Sequence, residues 1–259
     1  MKTADQNDIE QHRLELEYGS SRDRIHVYLH DFGPDYIKSA SLYRKAAEHG
    51  DAEAQLKLGI LYEWGRGVQL DPTEAAKWYH KAAEQGESSA QFELATLYAV
   101  GKGISRDMNE AAQWYRKAAE QGNVNAQIRI GVMHLRGDSV KRDSAEALKW
   151  LGMAAEQGDV EAQTLIGDIY AEGKGVPKDY VRALKWYQLA MAQGDDDARE
   201  RMAVMYERGQ GVPKDLVRAY MHVLSIPMPQ RDDYVDTLNR IEAQMTKEQI
   251  AEAKRLSGI

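Results

Sequence analysis

The sequence predicts an all-α solenoid of helix-turn-helix repeats, with a period of 36 residues and capping helices at both ends. Three observations indicate this fold. A glycine that follows a helix-like segment returns at every 36th residue, as Gly50, Gly86, Gly122, Gly158 and Gly194. An aspartate and an alanine keep the same spacing, beginning with Asp71 and Ala75 in the first unit. A single unit of this kind cannot bury its own apolar face, so the stacking of neighbouring units supplies the core.

The first helix of each unit is predicted to begin at a capping side chain and to end at a glycine. The capping residues are acidic or amide: Asp51, Glu87, Asn123, Asp159 and Asp195. The helix carries apolar residues at helical spacing, as in Leu58, Leu61 and Tyr62. It ends in a G-x-G sequence, because glycine adopts the left-handed backbone of a helix terminus without a Cβ penalty. In the third unit Ser139 replaces the second glycine, so we expect this loop to differ.

The second helix of each unit is predicted to begin at a repeated aspartate. These residues are Asp71, Asp107, Asp143, Asp179 and Asp215. Their carboxylates are suited to accept hydrogen bonds from the free backbone N–H groups of the first turn. In the first unit Pro72 occupies the first helical position and Glu74 is placed to complete a capping box. Thr246 and Gln249 match the same capping box at the start of the last helix.

Two further positions of the repeat predict how the helices pack. One position inside the first helix is always tiny, as Gly59, Ala95, Gly131, Gly167 and Ala203. A glycine inside a helix costs about 1 kcal/mol relative to alanine, so its repeated use indicates that the paired helix passes very close. A tryptophan in the second helix is predicted to be core, at Trp78, Trp114, Trp150 and Trp186. His134 and His222 replace aromatic repeat residues, so we expect them to pack, and Pro227 shortens the fifth second helix.

The chain is predicted to have three parts. Residues 1–35 form an N-terminal cap segment, residues 36–225 hold one half unit and five full units, and residues 226–259 form C-terminal capping helices. Within the first part, residues 4–18 fit an amphipathic helix, and residues 24–30 fit either a strand or a helix.

Composition narrows the function. The formal net charge of -7 is the wrong sign for a nucleic-acid partner. The chain has no cysteine, which excludes disulfides, zinc–thiolate sites and thiol nucleophiles. No apolar run of about 20 residues occurs, and the N-terminus lacks the apolar stretch of a secretory signal. We therefore expect a soluble, cytoplasmic protein that binds neither nucleic acid nor membrane.

No catalytic or metal site is predicted. The sequence contains no phosphate-binding loop, and no pair of nucleophile and base is visible. His26 and His30 stand four residues apart beside Asp31, a spacing that allows two imidazoles on a helix to share a metal. No third ligand lies nearby, so we expect no metal, no cofactor and no catalytic residue.

The repeat also resembles a known pattern. The run A-x-x-x-L-G-x-x-Y-x-x-G-x-G-V-x-x-D-x-x-x-A-x-x-W-Y-x-x-A-A-x-x-G is similar to the Sel-1-like repeat, a relative of the tetratricopeptide repeat. In the first unit it is spelled by Ala54, Leu58, Gly59, Tyr62, Gly65, Gly67, Val68, Asp71, Ala75, Trp78, Tyr79, Ala82, Ala83 and Gly86. The resemblance covers roughly residues 37–225. It implies a right-handed superhelix whose concave face is lined by the first helices and binds another protein.

The resemblance places five positions of each first helix on that concave face, and we call them the groove positions. In the first unit they are Glu53, Leu56, Ile60, Glu63 and Trp64, whose i, i+3 and i+4 spacing puts them on one side of the helix. The candidate partner-binding residues are Leu56, Ile60, Trp64, Phe92, Val100, Ile128, Val132, Leu135, Asp168 and Glu172.

These residues are apolar in the first three units and acidic in the fourth. An apolar strip of this kind is typical of an interaction site. We expect it to accept an amphipathic helix or an extended segment, with the acidic part selecting basic flanking residues. The alternative interpretation is that these side chains pack against the next hairpin or lie under the N-terminal cap.

Three functions remain open at this point. The first is a scaffold or adaptor, either a monomer or a weak homo-oligomer, that binds a protein or peptide. The second is an immunity-type inhibitory protein that binds one cognate effector or toxin. The third and weakest is a hydrolase. Resemblance to cysteine-rich relatives suggests this function, and the absence of cysteine here disfavours it.

Overall fold

The computed structural model describes residues 33–227 and 234–258, and every regular element in these ranges is a helix. The predicted all-α repeat fold is therefore confirmed. The interpretations placed on residues 4–18, on residues 24–30 and on the pair His26 and His30 lie outside the described residues.

The described helices form two compact units that divide between Ala126 and Gln127. We call them the first and second compact units, to distinguish them from the 36-residue repeat units. Helices α1 to α5 belong to the first unit and α7 to α13 to the second, and the boundary falls within α6. In chain order they are α1 (Gly33–Glu48), α2 (Ala52–Trp64), α3 (Pro72–Glu84), α4 (Ser88–Val100), α5 (Met108–Glu120), α6 (Val124–Arg136), α7 (Ser144–Glu156), α8 (Val160–Glu172), α9 (Tyr180–Ala192), α10 (Asp196–Arg208), α11 (Leu216–Leu224), α12 (Val235–Glu242) and α13 (Lys247–Leu256).

The predicted caps of the first helices are confirmed. At α2 the N–H of Ala54 donates to Asp51 Oδ1 at 2.7 Å, and the helix ends at Gly65 with φ +65°. The N–H of Gly65 donates to the carbonyl of Leu61. The same cap bond forms at the start of α4, α6, α8 and α10. Each first helix is therefore held to the same start, because a side chain satisfies an N–H that the helix itself leaves unpaired.

The aspartate caps of the second helices are also confirmed, but the capping box at α3 is wrong. Asp71 Oδ1 accepts from the N–H groups of Thr73 and Glu74 at 3.0 and 3.1 Å. The Glu74 carboxylate pairs with Lys77 at 2.5 Å and does not return to Asp71. The reason is that the N–H of Asp71 already donates to the carbonyl of Tyr62 at 2.9 Å, so it has no need of a second acceptor.

The tiny position of the first helix faces a ring from the paired helix. A Cβ on Gly59 would lie 2.6 Å from Tyr79 Cδ1, and one on Gly167 would lie 2.4 Å from Tyr187 Cε1. Both tyrosines are among the most deeply buried side chains of the described residues. The predicted close approach is thus confirmed, and the tyrosine side chain makes it. Of the repeated tryptophans, Trp114 and Trp150 are buried and the other two are half-buried.

A set of glutamine contacts recurs in the repeats. The buried Gln55 on α2 donates to the carbonyl of Ala47 at the end of α1, and it accepts from Gln85 at the end of α3 at 2.8 Å. Gln91 makes the same pair of bonds with Ala83 and Gln121. In the second compact unit Gln157 donates to Gln127, and Gln193 donates to Gln163. Each such glutamine joins the carboxyl ends of two successive second helices.

The second unit ends in two short helices that pack on α11. As predicted, α11 is short, with nine residues against thirteen in α9. Ile241 of α12 and Ala253 of α13 are fully buried in one cluster with Tyr220 and Ile226. The predicted capping box of α13 forms, since Thr246 and Gln249 each accept the backbone N–H of the other.

The loop of the third unit keeps the geometry of its neighbours, contrary to the expectation that Ser139 would change it. Ser139 adopts φ +55°, and it is the only non-glycine residue with positive φ in residues 33–227 and 234–258. The N–H of Asp143 donates to the carbonyl of His134 at 2.9 Å, as the matching residues do in the other loops. The bonds at the two ends of the loop therefore hold a serine in a glycine conformation. His134 is buried, as expected, and its Nδ1 lies 3.0 Å from the Lys141 carbonyl oxygen.

We expect Ser139→Gly to stabilise the protein by about 0.5–1 kcal/mol. The left-handed conformation costs a non-glycine residue about 1–2 kcal/mol, and the greater freedom of glycine in the unfolded chain offsets part of the gain. The free energy of unfolding in urea measures the effect. Ser105→Gly is the control, because Ser105 is exposed in a loop and its φ is negative. A loss of stability in Ser139→Gly equal to that in the control would contradict the assignment of strain.

Candidate partner-binding surface

Exposure varies among the groove positions of the first compact unit. Leu56 is buried at 7% exposure, Ile60 and Phe92 are half-buried, and Trp64 and Val100 are exposed at 50% and 63%. Ser89, at the start of α4, is also exposed. The expectation that Leu56 lies on an open surface is wrong. The exposed apolar side chains among these groove positions lie at the carboxyl ends of α2 and α4.

Exposure also varies in the second compact unit. Ile128 is buried at 3% exposure, which also contradicts the expectation for it. Val132 and Leu135 are half-buried, and the last groove position of α6 is the exposed Arg136.

Trp64 stands between two cations. The Arg66 guanidinium lies 5.8 Å from the centre of the Trp64 ring, and Lys102 Nζ lies 5.4 Å from it. Arg66 also lies 5.8 Å from the Tyr36 ring, and it has no carboxylate partner among the described residues. Such contacts contribute about 0.5–1 kcal/mol at exposed sites, enough to orient the ring without covering it. We call Trp64, Val100, Arg66 and Lys102 the Trp64 rim.

Beneath the rim, Glu63 links two helices of this unit to the loop that follows α4. Its carboxylate accepts from the Tyr79 hydroxyl at 2.8 Å and pairs with Lys102 Nζ at 3.0 Å. Burial, with Glu63 and Glu93 nearby, raises the pKa of the Tyr79 hydroxyl, so this group remains a protonated donor. Lys102 is therefore held in place at one edge of the Trp64 ring.

Glu93 on α4 is a second acidic group in this cluster. Burial is the main cause that raises its pKa to about 7, and the nearby Glu63 adds to the rise while Lys102 opposes it. The carboxyl therefore changes its charge close to neutral pH, and it lies about two turns of α4 before Val100 of the rim.

The acidic groove positions of the second unit are already paired within the chain. Asp168 accepts from the Tyr187 hydroxyl at 2.7 Å and pairs with Arg201 at 3.1 Å, and Glu172 pairs with Lys174 at 2.7 Å. The expected free acidic surface at Asp168 and Glu172 is therefore largely used by internal contacts.

On α10 the acidic groove positions hold the short helix α12 and the residue before it. Glu207, only 6% exposed, pairs with Arg240 at 3.0 Å. Glu200 accepts from the Thr237 hydroxyl at 2.6 Å, and Asp197 accepts from the Tyr234 hydroxyl at 2.8 Å. Burial alone raises the pKa of Glu207, but the hydrogen bonds from Arg240 and Gln244 outweigh it and lower the pKa.

Two features of this surface were missed in the sequence, although each left a signal. The middle residue of G-x-G is basic in three units, as Arg66, Lys102 and Lys174, and two of these flank Trp64. The second feature is the recurring glutamine pair, whose members repeat every 36 residues from Gln55 and Gln85. Within the described residues, no group of His, Asp and Glu is placed to hold a metal ion, and no helix is long and apolar enough to cross a membrane.

The chain is a series of helical hairpins that share their packing positions and differ at exposed positions. This is the architecture of a helical repeat protein. The Sel1 repeat model matches six consecutive stretches, residues 18–51, 52–87, 88–123, 124–159, 160–195 and 196–223. The chain belongs to the Sel1 repeat family. Proteins built from these repeats are typically modules that bind other proteins, and generally not enzymes.

Solved structures agree with this assignment. A protective antigen present in uropathogenic Escherichia coli strains, with an SLR fold, is 40% identical with a TM-score of 0.70 over 72% of this chain and 40% of that chain. A Sel1 repeat protein from Oxalobacter formigenes is 38% identical with a TM-score of 0.69 over 73% of this chain and 75% of that chain. This chain thus spans less than half the length of the E. coli relative. No curated protein matches it.

We expect Glu93→Gln to raise the free energy of unfolding at pH 8 by on the order of 2 kcal/mol, because the variant folds without burying a charge. In the wild type the folded-state pKa of about 7 lies above the ordinary value of 4.5. The stabilisation from this carboxyl is therefore fully present below pH 4.5 and is lost as the pH rises through 7. The gain from the substitution should shrink as the pH falls from 8 toward 4.5.

Urea unfolding at pH 8, 6.5 and 5 measures this dependence. Glu120→Gln is the control, since it removes an exposed carboxylate from the neighbouring second helix. A gain that does not change with pH, or one that the control reproduces, would show that the burial of Glu93 has no energetic effect.

Proposed function

We propose that this protein is a non-catalytic binding module whose first compact unit holds a protein or peptide partner on the Trp64 rim. The observation that carries the proposal is the half-exposed indole of Trp64, which stands outside the tryptophan positions of the repeat. Tryptophan is the residue most enriched among binding hot spots, since its burial removes a large apolar surface from water.

The fold itself does not require a tryptophan at this place. The same position carries Val100, Arg136, Glu172 and Arg208 in the other units. All four are exposed, so packing imposes no common residue type. An exposed residue that varies between structurally equivalent helices is free to serve a partner, whereas the tiny position of the first helix and the residue that faces it serve the packing of the hairpin.

The charges of the rim favour a partner that offers an apolar side chain and a carboxylate. Lys102 already has Glu63 as its partner, whereas Arg66 has contacts only with aromatic rings among the described residues. A carboxylate on the partner would form a charge-assisted bond with Arg66 while an apolar side chain covers Trp64. This replaces the expected preference for basic flanks, because Asp168 and Glu172 are paired internally.

The same rim suits a scaffold that holds several clients or an immunity-type inhibitor that holds one effector. The number of partners and their affinity distinguish these roles. Weak binding of several proteins favours the scaffold, and a tight complex with a single protein of one-to-one stoichiometry favours the inhibitor.

We expect a photo-crosslinking amino acid in place of Val100, on the Trp64 rim, to capture the partner in the native host, and the same amino acid at position 189 to capture much less of it. Leu189 is the control because it is exposed at 51% on a second helix of the other unit. Mass spectrometry of the crosslinked product identifies the partner.

The purified partner then allows a quantitative test. We expect Trp64→Ala to weaken binding by about 2 kcal/mol or more, measured by calorimetry, because it removes the central apolar contact. Leu189→Ala should leave the Kd unchanged. If Trp64→Ala binds as the wild type does while melting at the same temperature, the Trp64 rim is not the interface.

A further inference from the structure

The second compact unit contains a cleft of about 590 Å³ that is separate from the groove positions. It opens between α9, α10, α11 and α13, and the residues around it include Met191, Arg199, Arg218, Met221 and His222. Its size is within the range of sites that bind small molecules or peptide ends.

The cleft forms where the fifth unit departs from its own repeat. His222 occupies the place of the repeated tryptophan, and Arg199 occupies the place of the glutamine that joins successive second helices. Met191 replaces an alanine and Met221 replaces Lys or Gln of the other units. The imidazole of His222 is smaller than an indole and leaves space that the tryptophan fills in the other repeats. The other three substitutions bring an arginine and two methionines to the wall.

Among the described residues, each of the two arginines forms its polar contacts through a single nitrogen. Arg199 uses Nη1 to bind the Ser225 carbonyl at 2.7 Å and to pair with Asp196 at 3.5 Å. Arg218 uses Nε to pair with Asp215 at 3.3 Å. A guanidinium has five N–H donors, so most of the donors of each arginine remain available. His222 is stacked on Tyr206, and burial followed by the two nearby arginines lowers its pKa, so the imidazole is neutral near pH 7.

The rest of the wall is apolar apart from Ser225 and Ser257. Met191 and Met221 line one side, and Leu256 of α13, 49% exposed, lines the other. Ser257 also faces the cleft, and its buried hydroxyl has no hydrogen-bond partner in the described structure.

We propose that this cleft binds an aliphatic chain that ends in a carboxylate. The carboxylate is placed against the free donors of Arg218 and Arg199, and the aliphatic part lies against the methionines and Leu256. Methionine suits such a wall because its unbranched thioether adapts to chains of different shape. Both a peptide that ends in an aliphatic residue and a small aliphatic carboxylic acid present this chemistry. The inference stands independently of the Trp64 rim, which lies in the other unit.

Two pairs of probes test the proposal on the full-length protein by calorimetry. One pair is octanoate and octanol, and the other is the pentapeptide Gly-Gly-Ser-Gly-Leu with a free carboxylate and with an amidated end. We expect at least one carboxylate to bind about tenfold more tightly than its neutral counterpart. Preference for the peptide or for octanoate identifies the source of the ligand.

Three variants locate the binding. His222→Trp restores the repeat residue and should abolish binding by filling the cleft, and Arg218→Gln should weaken it by about fivefold or more. Arg182→Gln is the matched control, because Arg182 pairs with Asp179 one unit earlier as Arg218 does with Asp215. Its Kd should equal that of the wild type. Circular dichroism melts confirm that each variant is folded.

Methyl NMR of the methionines provides a direct readout of the site. We expect the Met191 and Met221 methyl signals to shift on addition of the ligand, and the shifts to be absent in His222→Trp. The proposal is overturned if no probe binds at millimolar concentration. It is equally overturned if the neutral and charged probes bind alike, or if folded Arg218→Gln binds as the control does.

Discussion

In two of the hairpins, the pairing of the first and second helices depends on a tyrosine ring that takes the space of a missing side chain on the other helix. The ring of Tyr79 covers Gly59, and that of Tyr187 covers Gly167. A glycine inside a helix costs about 1 kcal/mol, whereas full burial of an aromatic ring contributes about 2 kcal/mol or more. The exchange is favourable, and it fixes the depth at which the two helices meet.

This contact also decides which part of the molecule is left for a partner. Because the rings pass through to the groove side, their hydroxyls bind acidic groove residues, Glu63 in one unit and Asp168 in the other. The middle of these two first helices, α2 and α8, is thereby committed to packing and internal hydrogen bonds. The last position of the first helix is exposed and varies between repeats, and a basic G-x-G residue follows it in three of them.

The sequence was sufficient for most of the fold and for less of the surface. Caps, left-handed glycines and the tiny helical position are local or strictly periodic, so Asp51, Gly65 and Gly59 could be assigned from the pattern alone. Burial at the groove positions depends on tertiary contacts, which periodicity does not resolve. For that reason Leu56 and Ile128 were expected to be open and are in fact buried. Similarly, the acidity of Asp168 was visible, but its pairing with Arg201 was not.

The glutamine contacts have a consequence for how such chains vary in length. Gln91, for example, bonds to Ala83 on the second helix just before it and to Gln121 after the second helix of its own hairpin. These two bonds reach no further along the array. Deletion or duplication of a whole 36-residue repeat therefore leaves every glutamine with its hydrogen-bond partners, provided that the segment begins and ends at equivalent positions of the repeat. Arg199 interrupts this series by binding Ser225 in the fifth hairpin, which marks the point beyond which another identical copy would find no matching amide.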